Sequence, residues 1–126
     1  MHIMKRIGLF LLLLTLAACG GGASGGDPAD VVERYLTAKV AGDGDALRPL
    51  LCSPMEALFS REVNSFSTVE GARLENMDCT RQGDSDVVTC TGEIVATYGT
   101  ETNRFPLASY RVVQEDGEWK WCGESG

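Results

Sequence analysis

The hydrophobic period changes once along this chain, at Thr68, and that change limits the folds open to it. Before it, apolar side chains recur at helical spacing. Val31, Val32, Tyr35, Leu36 and Val40 share one face of a helix that Asp27 can cap, Pro28 can begin and Gly42 can close in a left-handed cap. Asp30 sets negative charge against the amino-terminal dipole. A turn at Asp43-Gly44-Asp45 leads into a short helical piece, residues 46–51, which Pro49 keeps short. Ser53-Pro54-Met55-Glu56 has the capping-box spacing, and Leu58, Phe59, Val63 and Phe66 predict a buried stripe on the helix that follows. After Thr68, residues 72–81, 86–98, 104–114 and 118–122 are rich in Val, Thr, Tyr, Ile and Trp and are separated by polar turns. Asp116-Gly117, between the last two, is a strong hairpin signal. The reading is an α+β domain, with amino-terminal helices packed on a four-stranded antiparallel meander. Residues 27–126 supply about 100 residues, enough for one modest core and too few for two.

The first residues follow a different plan. Lys5 and Arg6 make a positive start, residues 7–16 a short apolar run, and Ala17-Ala18 a small-residue site before Cys19. That order is an export signal, since crossing a bilayer takes about 20 apolar residues. Leu16-Ala17-Ala18-Cys19 resembles the lipobox of bacterial lipoproteins. The resemblance implies cleavage before Cys19, a diacylglyceryl thioether on its sulfur and a third chain on its amine. Two or three chains hold a protein lastingly, at about 0.8 kcal/mol per buried methylene. The expected partner is therefore a bacterial membrane. Gly20, where an aspartate would favour inner-membrane retention, points to the outer membrane in a Gram-negative cell and to the outer face of the cytoplasmic membrane otherwise. Gly20-Gly21-Gly22-Ala23-Ser24-Gly25-Gly26 reads as a flexible tether with a reach of roughly 15 Å. Residues 1–18 are then a signal peptide, 19–26 the lipidated cysteine and tether, and 27–126 a single α+β domain.

Without residues 1–18 the chain carries 9 basic and 18 acidic side chains, a formal charge of −9, which disfavours nucleic acid as a partner. It also loses its one histidine, His2. Four cysteines remain, an even number in an exported chain, and these predict two disulfides. Zinc is the rival, but there is no Cys-x-x-Cys pair and no histidine to help. Asp43 and Asp45 lack the glycine and distal glutamate of an EF-hand and read as a capped turn. No metal and no cofactor are expected. Four cysteines allow three connectivities. Cys79 and Cys90 lie at equal distances from the turn centred between Asp84 and Ser85, so a regular hairpin opposes them on one face, Cβ atoms roughly 4.5–5.5 Å apart. That leaves Cys52 for Cys122.

Val32-Glu33-Arg34-Tyr35-Leu36-Thr37-Ala38, followed by Gly42-Asp43-Gly44-Asp45-Ala46-Leu47, resembles the first helix and glycine-aspartate turn of the nuclear-transport-factor-2-like superfamily. Asp116-Gly117-Glu118-Trp119-Lys120-Trp121 is similar to its last hairpin. The resemblance implies a curved sheet wrapped on a long helix, forming a cone whose interior can hold a ligand. It also implies that many such cones form homodimers through the open sheet face. Some members are steroid isomerases or polyketide cyclases with an aspartate, or an aspartate–histidine pair, inside the cone. Here the dyad lacks its histidine, and Asp78 and Glu93, the strand carboxylates, stand beside Asn76, Thr89 and Thr91 and read as solvated. Tyr35, Phe59, Tyr98, Tyr110, Trp119 and Trp121 are candidates to line a cavity, with Phe66 and Phe105 as further aromatics; plain packing is the competing use. Trp119 and Trp121 share a strand face, which turns Cys122 away from it. The expected function is a non-catalytic binding or accessory domain on an exported lipoprotein, with an envelope protein as possible partner. The alternative is a small-molecule carrier or an isomerase- or cyclase-like enzyme using the cone.

Overall fold

A computed structural model describes residues 26–125. The expected lipobox, Cys19 and nearly all of the tether lie outside the described residues. Helix α1 spans Pro28–Ala41. The Asp27 carboxylate accepts from the Ala29 N–H at 2.9 Å, and Gly42 closes the helix at φ 65°. A side-chain cap of this kind contributes about 1 kcal/mol. Val31, Val32, Tyr35, Leu36 and Ala38 form its buried face. Helix α2, Gly44–Leu47, is capped by Asp43, whose carboxylate accepts from the Ala46 N–H at 3.1 Å. A single 3-10 turn at Arg48–Leu50 carries Pro49.

The capping box does not form. Residues Ser53–Leu58 make a 3-10 segment, and only Phe59–Val63 is α-helical, as α3. The Ser53 N–H and hydroxyl donate to Glu115 instead, at 2.9 and 3.0 Å. A tertiary acceptor has displaced the local one. The expected stripe of Leu58, Phe59, Val63 and Phe66 is only half-buried, and the one buried side chain of α3 is Glu62.

The sheet has five strands rather than four: β1 Glu70–Arg81, β2 Val87–Tyr98, β3 Glu101–Pro106, β4 Ser109–Glu115 and β5 Glu118–Glu124. The expected strand 104–114 is broken at Leu107-Ala108. Both halves pair with β2, β3 along its second half and β4 along its first, in registers that differ by one residue. Opposite the same stretch of β2, β1 slips by one residue between Glu75 and Asp78, where Asn76 takes φ 54°. Gly92 sits between these two bulges at φ 106°, and a Cβ there would lie 2.6 Å from the Asn76 carbonyl oxygen. Two bulges on one row bend a sheet sharply, and only glycine fits where they meet. The strand order is β1-β2-β4-β5, with β3 beyond the bend.

The main core lies between α1 and the near half of the sheet. Val31, Val32, Leu36 and Leu47 meet Val88, Tyr110, Val112 and Trp121. Each such side chain, fully buried, contributes roughly 1.5–3 kcal/mol. On the open face Val95 is also fully buried. It is flanked in register by Arg73 and Arg104, which pair with Glu75 at 3.0 and 2.8 Å. These long side chains cover it with their stems.

The structure joins Cys79 to Cys90 and Cys52 to Cys122. Leu51 forms an isolated parallel bridge to Trp121, and the Cys52 N–H donates to the Trp121 carbonyl at 2.9 Å. Cys52 therefore lies beside β5 rather than on its helix face, where a Cys122 turned away from the helices still reaches it.

Candidate functional site

Three of the six aromatic candidates meet inside the cone. The Tyr35 ring of α1 stacks on Trp121 of β5 at 3.8 Å and 11°, and Tyr110 of β4 meets Tyr35 edge-on at 6.4 Å. All three are buried. The other three are elsewhere. Trp119 is half-buried under the Arg81 guanidinium, Phe59 is half-buried under Arg48, and Tyr98 is exposed at the end of β2. Asp78 is exposed, and Glu93 is half-exposed with Arg104 at 3.9 Å.

Around the stack is a polar cluster that the sequence analysis missed. The Tyr35 hydroxyl donates to Glu62 Oε2 at 2.6 Å. Lys39, one turn along α1, lies 3.1 Å from the same oxygen, and Arg61 donates to Oε1 at 2.9 Å. Glu62 is 3% exposed. Burial pushes its carboxyl up, but the hydrogen bonds from Tyr35 and Arg61 and the charge of Lys39 outweigh burial and hold it below the ordinary glutamate range. Burial pushes the Tyr35 phenol far above its usual range, and its bond to the Glu62 carboxylate adds to the rise. Tyr110 is also pushed up by burial, against the Ala108 N–H that donates to its oxygen at 3.2 Å. The Trp121 Nε1 is buried with no hydrogen-bond partner. A signal for Glu62 did exist: it lies four residues from both Leu58 and Phe66, on their helical face. A stripe read for apolar residues alone passes over it.

Chemically, the cluster is a carboxylate already ionised, with both oxygens engaged, against a phenol that holds its proton. It opens on a cleft of about 420 Å³ lined by Tyr35, Lys39, Arg61, Glu62, Trp121 and Glu124, with Ser65 and Gly123. Among the described residues no group of three or more His, Cys, Asp or Glu is placed to hold a metal ion.

The sequence matches no protein-family model and no curated protein. Solved structures do resemble it. A candidate dehydratase of the nuclear-transport-factor-2-like family from Streptomyces avermitilis superposes at TM-score 0.52 with 15% identity, over 76% of this chain and 92% of that one. A five-substitution variant named Rd1NTF2_05 superposes at TM-score 0.51, again with 15% identity, over 77% and 94%. The domain thus has the nuclear-transport-factor-2-like fold, an α+β cone of helices and an open antiparallel sheet.

Proposed function

We propose that this chain is an exported lipoprotein, held to a bacterial membrane through lipid on Cys19, whose domain binds a partner or serves as an accessory subunit without catalysing a reaction. One observation carries the non-catalytic part. The place where a cone would hold substrate is occupied by the Tyr35–Trp121 stack, and the one buried carboxylate among the described residues has both oxygens engaged by donors of the protein itself. Isomerases, cyclases and dehydratases all move a proton at the substrate, which needs a base poised near the working pH. Glu62 is held on the wrong side of that range. The envelope partner remains a protein surface rather than nucleic acid, in keeping with the acidic chain.

Two measurements test the proposal. Mass spectrometry of the mature protein from membranes is expected to find an acylated amino-terminal Cys19; a soluble product starting elsewhere removes the anchor. The cleft at the mouth of the cone supports the second reading, a small-molecule carrier. Titration of metabolite pools against the fluorescence of Trp121 in a Trp119→Phe background separates the two, since saturable quenching abolished by Lys39→Ala favours the carrier.

A further inference from the structure

Among the described residues, no strand pairs with the outer edge of β1. The direction of its hydrogen-bonding groups follows from β2. Cys90 donates to the Ala108 carbonyl and Gly92 accepts from Leu107, so these residues turn toward β3 and β4. Thr89, Thr91, Glu93 and Val95 therefore turn toward β1, where Thr80, Asp78, Glu75 and Arg73 face them. The alternate residues Ala72, Leu74, Met77 and Cys79 point their backbone groups off the sheet. Cys79 has a substitute partner, since its N–H donates to Glu33 Oε1 at 3.3 Å. An edge of this kind is a template for another strand.

We propose that this edge pairs with the same edge of a second copy, antiparallel about a two-fold axis between Glu75 and Asn76. In that register Ala72 lies opposite Cys79 and Leu74 opposite Met77, so outward-pointing residues meet outward-pointing residues along the whole contact. Arg73 lies opposite Asp78, twice by symmetry, and its guanidinium, held to Glu75 through Nε and Nη2, keeps further N–H donors for it. The faces agree as well. Arg73 and Asp78 are both on the open face, opposite Val95 and Thr91 of β2, while Leu74 and Met77 are both half-buried against the core. The bulge at Asn76 makes this agreement possible, because it shifts the alternation by one residue in each copy. Asp78 has no ion-pair partner among the described residues, and the second copy supplies one. A two-residue slip would set Glu75 against Asp78, and like charges directly opposed are destabilising. The open sheet face is the rival surface. It presents Arg73, Glu75, Glu93 and Arg104 already paired with one another, beside the hydroxyls of Thr89 and Ser109, which bond to each other. It has no unmet backbone groups to offer.

The test is sedimentation equilibrium of the full chain in detergent micelles, joined to hydrogen exchange at rising protein concentration. A dimer is expected, with the Leu74 and Met77 amides slowing as it forms. Arg73→Asp or Asp78→Arg alone is expected to weaken association about tenfold, and the two together to restore it. Both positions are exposed, and because the Arg73 stem helps cover Val95, thermal melting of each variant checks that the fold is kept. A monomer at every concentration overturns the proposal. So does a dimer indifferent to the charge exchange whose Leu74 and Met77 amides stay fast, since it would use another surface.

Discussion

Glu62 is the buried charge on which three other side chains of this domain converge. Its carboxylate receives a phenol, a guanidinium and an ammonium at a site 3% exposed. Removing one partner from a buried, charged network leaves the others unsatisfied, which costs more than the net strength of any single bond. Because Arg61 and Lys39 are partly exposed, part of that cost is screened. Glu62→Ala is therefore expected to cost about 2–3 kcal/mol in denaturant unfolding. The pH dependence has a definite sign. The folded carboxyl titrates below its unfolded value of about 4.3, so its contribution is complete above that pH and is lost as pH falls through the folded value. Glu62→Gln is expected to flatten this acid limb. Tyr35 and Tyr110 work in the other direction. With folded values above about 10, they stabilise fully below that pH and progressively less as the medium becomes more alkaline. Trp121 is a separate case. Its indole N–H has no acceptor, so Trp121→Phe loses ring area but removes an unpaid desolvation. That variant is expected to stay within about 1 kcal/mol of the parent, whereas Tyr35→Ala loses about 3–5 kcal/mol.

At the scale of elements, the bend at Gly92 decides the shape of the sheet. Bulges on β1 and between β3 and β4 converge there, and the backbone of Asn76 occupies the space that a side chain would need. Gly92→Ala combines a left-handed φ of 106° with contacts at 2.6–2.8 Å to the backbone of Glu75 and Asn76, none of which is the movable end of a side chain. A loss of about 3 kcal/mol or more is expected in chemical unfolding, from strain and overpacking together. Gly83→Ala is the control, with positive φ but open space around it, and is expected to cost about 1 kcal/mol. If both variants lose the same amount, conformational strain alone governs these positions and the close approach at Gly92 is relaxed at no cost.

For the whole molecule, the two disulfides divide the work unequally. Cys52–Cys122 closes a separation of 70 residues and Cys79–Cys90 one of 11. Loop-closure entropy in the unfolded chain favours the longer bridge, about 4 kcal/mol against about 3. The longer bridge also holds the segment around Leu51 against β5, with Lys120 Nζ donating to the Pro49 carbonyl nearby. Cys52→Ala with Cys122→Ala is expected to lower the melting temperature more than Cys79→Ala with Cys90→Ala. Both losses are large beside the roughly 5–15 kcal/mol that hold a domain of this size.

Local chemistry was enough for the sequence to specify α1 with both caps, the Asp43 turn, the Asp116-Gly117 hairpin and the Cys79–Cys90 register. Each depends on residues close together in the chain, so spacing alone reports it. The α+β cone was legible for the same reason, since a change of hydrophobic period marks helices and then strands. What the chain could not announce depends on distant partners. Ser53 abandons a capping box because Glu115, 62 residues away, accepts from both its N–H and its hydroxyl. The strand 104–114 divides at Leu107-Ala108 because the chain bulges there across β2 from the bulge on β1, on the row of Gly92. Glu62 is buried because Tyr35 and Lys39 arrive from another helix to neutralise and bond it. Burial of a charge is a property of its surroundings, and those surroundings exist only once the chain has folded.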